Sequence, residues 1–350
     1  MTYDNINKNF KKAQLKKAFS LIELSVVVLI IGILIAGITA GSRLVRNSKL
    51  ASAAQFTKSS DINSIPDLVL WLEPTQENSF ATTSANTDTL TYDNVAGLQD
   101  SAYVKDTLRP DNREYVARWN DITPRAVAGN KKSVYQETGS RRPMYIANAI
   151  NGLPALQFNG SSQYLYSLNN NTTPSAPPLV AGDDSYTMIA VFSPFSGQNG
   201  TIIDQFTGGA IEGSRKAAMM LFSNGGPGNF TFAGHGQDTS SGLIARNNDK
   251  YIGVIKLEDS AVLASNNIVF YLNTSPLSLN ATLSNTQNFN STLNNVADGM
   301  FTLGVRAATP NNENFNGLIG EVMVFDRALK NEELDTIMKY LSKKWGIALK

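Results

Sequence analysis

The chain has 350 residues, a formal net charge of +1 and no cysteine. Near-neutrality removes the broad basic footprint that nucleic-acid binding uses, and the missing thiols exclude disulfides, thiol catalysis and cysteine-ligated metal. The length accommodates an anchor plus one large domain, which must be held by its buried core alone.

Residues 1–17 are polar and basic, with Lys8, Lys11, Lys12, Lys16 and Lys17 against Asp4. An apolar run of 17 residues, Leu24 to Ala40, follows. As a helix rising 1.5 Å per residue it measures about 26 Å, close to the roughly 30 Å of bilayer hydrocarbon. Phe19, Leu21 and Ile22 lengthen it, so a transmembrane segment is expected at about residues 21–40. A secretory signal peptide has a shorter apolar region that ends at a small-residue cleavage site; here the run passes into the helix-compatible SRLVRNSKLASAAQF. The five leader lysines outnumber Arg43, Arg46 and Lys49 beyond the run. The positive-inside rule then places the N-terminus in the cytoplasm and translocates the rest. Glu23 stands just inside the apolar segment, where a carboxylate costs about 2.5–3.5 kcal/mol. That cost marks a functional residue in need of a partner.

The string Ala18-Phe19-Ser20-Leu21-Ile22-Glu23, basic before and apolar after, resembles the prepilin motif of type IV pilins and type II secretion pseudopilins. The likeness covers roughly residues 12–50. It implies a single-pass bacterial inner-membrane protein that a prepilin peptidase/methyltransferase cuts between Ala18 and Phe19, leaving Phe19 as the N-methylated first residue. Further implied partners are other pilin or pseudopilin subunits. In their filament core Glu23 would neutralise a neighbour's N-terminal amine, offsetting the burial of both charges. The family's usual residue before the cut is glycine; this chain has Ala18. The implied layout is a leader at 1–18, a pilin-like helix at 19–57 and a linker at 58–64, where Ser, Asp, Asn and Pro66 interrupt the helix.

Residues 65–350 read as one domain. The strand Leu68–Leu72 opens it, and a polar stretch from Glu73 to about Pro110 reads as loops or an insertion. Short β-runs bounded by turns follow, among them Ala155–Phe158, Tyr186–Phe192, Thr201–Phe206, Ala217–Phe222, Tyr251–Leu257, Ile268–Leu272 and Leu318–Phe325. No helical pattern intervenes, so an antiparallel sandwich is expected rather than a parallel α/β fold. One helix ends the chain. Asn331 is the expected cap, Glu332 and Glu333 suit its N-terminal dipole, and Lys343 and Lys344 its C-terminal end. Leu334, Ile337, Met338, Leu341 and Trp345 share one face, and Gly346 suits the position after the last turn.

The strings Leu68-Val69-Leu70-Trp71-Leu72, Arg118-Trp119-Asn120-Asp121, Asn151 to Gly160 and Gly317 to Leu329 resemble, in that order, the concanavalin A-like/laminin G-like jelly rolls of bacterial surface proteins. The fold class expected is therefore mainly β: a transmembrane pilin-like α-helix, then a concanavalin A-like antiparallel β-sandwich (jelly roll) with a C-terminal α-helix. Such domains bind glycans or proteins, hydrolyse glycans, or act as spacers.

Catalytic chemistry finds little support. Glycoside hydrolysis takes two carboxylates about 5–10 Å apart, and the alternating acidic pattern of the enzymatic relatives is missing. Glu321 and Asp326 fall on opposite faces by alternation, and Asp326 is expected to pair with Arg327 or to cap the turn before the helix. The sole histidine, His235, lies in a Gly-His-Gly turn, which favours an exposed loop over a triad base. Asn224 to Gly228 is glycine-rich but lacks the Lys-Ser/Thr and helix of a phosphate cradle. Relatives often bind calcium at the sandwich rim; Asn159, Asp183, Asp184 and Asp204 are the candidates by donor chemistry, against the plainer reading of turn-capping side chains. Trp71, Trp119 and Trp345 are expected in the core rather than on sugars, given their apolar neighbours.

The reading that results is a non-enzymatic pilin-like subunit, a minor pilin or pseudopilin, whose jelly-roll head is displayed in the periplasm or outside the cell for adhesion to a glycan or surface-protein ligand. The alternative is a membrane-anchored glycan-binding or glycan-processing protein that does not polymerise.

Overall fold

A computed structural model describes residues 21–76, 79–81, 114–124, 132–167, 185–195, 199–206, 216–222, 228–233, 239–258, 266–277, 284–289, 300–306 and 313–350. The chain divides into two compact units, one ending at Ser48 and one spanning Lys49–Lys350.

Helix α1 (Leu21–Lys58) forms because its sequence holds no proline across 38 residues. It is long and apolar enough to cross a membrane. A surface helix of a soluble domain hides one apolar stripe and shows a polar face. Here Leu24, Val27, Val28, Leu29, Ile30 and Ile33, which point in directions all round the axis, stand exposed, so the apolar surface runs around the helix.

In the second unit, a 3-10 turn at Asp61–Ser64 follows α1. Strands β1 (Leu68–Leu72), β2 (Phe80–Ala81), β3 (Glu114–Tyr115), β4 (Arg118–Trp119), β5 (Val134–Tyr135) and β6 (Met144–Ile150) come next. Then run β7 (Leu153–Asn159), β8 (Leu165–Ser167), β9 (Tyr186–Pro194), β10 (Gly200–Phe206), β11 (Lys216–Phe222) and β12 (Gly228–Ala233). The series closes with β13 (Thr239–Ala245), β14 (Tyr251–Glu258), β15 (Asn266–Leu272), β16 (Ser284–Phe289), β17 (Met300–Leu303), β18 (Asn316–Phe325) and helix α2 (Asn331–Trp345). One sheet has the order β16-β15-β14-β9-β18-β7-β6-β3, with β1 also on β18; the other has β13-β12-β11-β10-β17-β8-β5-β4-β2. The pairings between strands are antiparallel, and the sandwich with its two flanking helices is the fold class expected from the sequence.

The first sheet is buried on both faces. Its inner side meets the second sheet through residues such as Leu156, Phe192, Phe230, Phe301 and Phe315. Its outer side is covered by α2 through Leu334, Ile337, Met338, Leu341 and Trp345, packed on Trp71, Ile189, Met323 and Phe325. The three tryptophans are at most 1% exposed, as their apolar neighbours led us to expect.

Strand β18 is the spine. It pairs with β9 along one side, and with β7 and then β1 along the other. Its register against β9 shifts between Ile319 and Glu321. Ile319, Val322 and Val324 face the inner core, whereas Met323 and Phe325 face α2. Uninterrupted alternation would aim Glu321 inward with Ile319; the bulge turns it towards α2. Gly320 makes room there, since a Cβ at that position would lie 2.6 Å from Trp345 Cη2.

Beneath α2 this geometry assembles a buried ionic cluster. Lys344 Nζ lies 2.5 Å from Glu73 Oε1 and 2.9 Å from Glu321 Oε2, and all three side chains are at most 1% exposed. Glu73 also accepts the Thr75 N–H, the Thr75 hydroxyl and the Gln76 N–H. Glu321 accepts both indole N–H groups, Trp71 and Trp345 each at 2.8 Å, and the Tyr340 hydroxyl at 3.1 Å. The Tyr340 hydroxyl is in turn 2.8 Å from Thr57 Oγ1 in the last turn of α1, and its ring stacks on Phe56. Burial raises the Glu321 carboxyl above its ordinary value; Lys344 opposes the rise and Glu73 adds to it.

Three local expectations are corrected. Glu73 is the buried partner of a lysine, not the start of a loop, and the polar stretch behind it contributes β2. The N-cap of α2 is Lys330, whose N–H donates to Glu333 Oε2 at 3.0 Å, while Asn331 is the first helical residue. Arg327 pairs with Asp67 and, through both terminal nitrogens, with Glu333, rather than with Asp326. Gly346 closes the helix in the left-handed conformation at φ 62°, as the sequence suggested.

Two outcomes follow. Gly320→Ala is expected to destabilise the head by about 1–3 kcal/mol in urea unfolding, because the Cβ meets an indole held on both sides. The Arg327 hydrogen bond holds the Glu333 carboxyl below its ordinary value, so its contribution exists above the unfolded carboxyl range and is lost as pH falls through the folded value. Glu333→Gln should therefore cost about 0.5–1 kcal/mol at neutral pH. That cost should shrink and then vanish as the pH falls through the folded Glu333 value, as followed by thermal melts across pH.

Candidate functional site

The outer face of the second sheet is the surface that can offer side chains to a ligand. Directly opposed residues of antiparallel strands share a face. Leu165, Leu303 and Ile203 are opposed across β8, β17 and β10 and point into the core. The neighbouring row points the other way. It runs Arg118, Tyr135, Tyr166, Thr302 and Asp204 across β4, β5, β8, β17 and β10. Tyr164, two residues before Tyr166, shares that face.

Tyrosines dominate one end of this row. The Tyr135 and Tyr166 rings lie 4.7 Å apart at 48°, and Tyr164 is 5.9 Å from Tyr166. Arg141 donates to the Tyr164 hydroxyl at 3.0 Å and sits 5.8 Å from its ring centre. Gln136, through Nε2, donates to the Tyr164 carbonyl. These contacts fix Tyr164, which is buried, while Tyr135 and Tyr166 remain half-exposed. Burial pushes Tyr166 up to about 12, helped by the neighbouring Tyr135 and Glu137, and burial followed by Glu137 raises Tyr135. Both phenols stay neutral near pH 7. They offer ring faces for C–H stacking and hydroxyls that donate or accept.

The residues singled out from the sequence are scattered. Asn159 ends β7, and its Oδ1 accepts the N–H groups of Ser161, Ser162 and Gln163, a turn-capping arrangement. Asp204 is buried in β10 within the tyrosine row, on the other sheet. Asp183, Asp184, His235, Ala18 and Phe19 lie outside the described residues, and Glu23 falls on α1. Among the described residues no group of three or more His, Asp or Glu is arranged to hold a metal ion. The tyrosine cluster was missed in the sequence. Tyr164-x-Tyr166 signals one face of a strand, but only the fold brings Tyr135 beside it.

The model of the concanavalin A-like lectin/glucanases superfamily matches residues 159–335. The chain belongs to the concanavalin A-like lectin/glucanase superfamily. A second model, the prokaryotic N-terminal methylation motif, matches residues 14–39, which makes the apolar start of this superfamily member a prepilin-type single-pass membrane anchor. No curated protein matches the chain. Among solved structures, an arabinofuranosidase complexed with arabinofuranosyl-alpha-1,2-xylobiose aligns with TM-score 0.52 and 13% identity, over 81% of this chain and 64% of its own. Domain 4 of an extracellular arabinanase from Geobacillus stearothermophilus, in complex with arabinotriose, aligns at TM-score 0.41 and 14% identity over 65% of this chain and 98% of its own. A Trypanosoma rangeli sialidase aligns at 0.42 and 12% over 65% of this chain but 31% of its own. The chain thus spans less than two thirds of the sialidase and the arabinofuranosidase, and the likeness at these identities is one of fold.

Tyr135→Ala and Tyr166→Ala are each expected to weaken any ligand that stacks on this face by about 1–2 kcal/mol in a binding titration. Thermal stability should change little, because both rings are half-exposed.

Proposed function

We propose that the chain is a minor pilin or pseudopilin whose jelly-roll head is displayed for adhesion, with a glycan as the ligand of the Tyr135–Tyr166 face. One observation carries the assembly half: the methylation motif at 14–39 is set on a helix whose apolar side chains are exposed on every side. Such a helix needs lipid before assembly and other helices after it. In this reading residues 1–18 are a cytoplasmic leader removed before Phe19, Phe19 is methylated, and Glu23 pairs with a neighbouring subunit's amine. The lysines of the leader orient the helix with its N-terminus inside. The head, roughly 285 residues, is bulky for a subunit repeated along a filament, which favours a specialised position.

The ligand half rests on half-exposed rings with hydroxyl, amide and guanidinium groups beside them. We take binding rather than hydrolysis as the reading: among the described residues, Asp204 is buried within the row and Glu137 lies beside the rings, and neither is seen paired with a second acid as glycoside cleavage takes. A non-polymerising anchored glycan-binding protein is the second reading, since the superfamily match concerns the head alone.

Mass spectrometry of protein purified from cells that hold a prepilin peptidase is expected to find N-methylated Phe19 at the N-terminus. Recovery of the intact leader would overturn the assembly half. Glu23→Ala should abolish incorporation into filaments while leaving glycan capture intact; unchanged behaviour in both assays selects the second reading.

A further inference from the structure

The cluster beneath α2 has the components of a self-acylating centre. A primary amine, Lys344 Nζ, is in hydrogen-bond contact with two carboxyl groups, Glu73 and Glu321, and all three are closed off from water. The walls are Trp71, Tyr340 and Trp345, with Nζ 5.4 Å and 5.7 Å from the Tyr340 and Trp345 ring centres. The two acids differ in surroundings. Glu73 is held by the Thr75 and Gln76 N–H groups and the Thr75 hydroxyl, donors of the kind that stabilise a tetrahedral oxyanion. Glu321 is held by two indoles and a phenol.

We propose that Lys344 and Glu73 condense spontaneously to an isopeptide bond, with Glu321 as the proton carrier. The amine attacks Glu73 Cδ. Thr75 donates twice to Oε1 and Gln76 N–H once to Oε2, so the oxygen that keeps the developing negative charge is met by its own donor. Of the two protons that Nζ gives up, the first passes to Glu73 before the attack, making a neutral amine and a carboxylic acid; Glu321 takes the second and returns it to the departing hydroxyl, which leaves as water. One C–N bond forms and one C–O bond breaks. The ammonium and carboxylate become an amide plus one water, with no oxidant, nucleotide or other co-reactant. Burial assists in two ways. A low dielectric narrows the gap between the ion pair and its neutral form, and the rise of the Glu321 carboxyl, caused first by burial, favours its taking up a proton. Fixed contact replaces a bimolecular encounter.

The bond would staple the residue after β1 to the last turn of α2, closing a loop that contains nearly the whole head. For a subunit under tension this converts an ionic lock into a covalent one.

Intact-mass measurement of the purified full chain, followed by tryptic peptide mapping, tests the proposal. The expected result is a mass lower by one water than the processed sequence, with a branched peptide joining the Glu73 and Lys344 segments. Lys344→Met should restore the full mass. Glu321→Gln, which keeps the shape and one of the two accepting oxygens, should also restore it in protein that remains folded by circular dichroism. Glu73→Gln should still cross-link, now with loss of ammonia. Full mass with linear peptides containing Glu73 and Lys344 overturns the proposal, as does a water deficit that maps elsewhere. A deficit that persists in Glu321→Gln overturns the role given to Glu321.

Discussion

A lysine ammonium held between two carboxylates, sealed from water, is the constraint on which the rest of the head depends. Taking three charges out of water costs several kcal/mol each. Here the cost is offset by a full complement of donors: Glu73 receives four hydrogen bonds and Glu321 four, with Lys344 shared between them. Removing one member strands the others, a loss of about 3–5 kcal/mol for buried ion pairs. The partners come from β1, β18 and α2, and through Tyr340 from Thr57 at the end of α1. Elements far apart in the chain are thereby locked in one relative setting that apolar packing alone would specify less sharply.

Delivery of Glu321 to that cluster depends on a small irregularity. The bulge at Gly320 lets one strand serve two cores, sending Val322 and Val324 into the sandwich and Met323 and Phe325 under α2. The half-exposed tyrosines belong to the outer face of the other sheet, a full sandwich thickness from the cluster. The ionic cluster and the tyrosine face are therefore on separate layers, and the tyrosine face can vary without disturbing the lock.

Much of this architecture was legible in the sequence. Runs such as Tyr186–Phe192 and Tyr251–Leu257 are apolar but for Thr187 and Lys256, and they became central strands buried on both faces. The heptad-like face of α2 and Gly346 marked the last helix. Strands with weak patterns were not legible: β16 reads Ser-Asn-Thr-Gln-Asn-Phe and stands at a sheet edge, where pairing rather than burial defines it. Glu73 was opaque for another reason. A charged residue at a strand end looks like the start of a loop until a lysine 271 residues away is seen against it. Tyr135 was hidden likewise, since its neighbours on the ligand face come from a strand far along the chain.

The pairing of Glu73 with Lys344 also governs timing. Both ends of the head must be present before its outer core can close, so a ribosome-bound chain holds β1 without the helix that covers it. Contacts of such long range form late and slowly, and the apolar outer side of the first sheet stays open in the meantime. A large domain sealed by its last helix thus keeps apolar sheet surface uncovered until that helix is made.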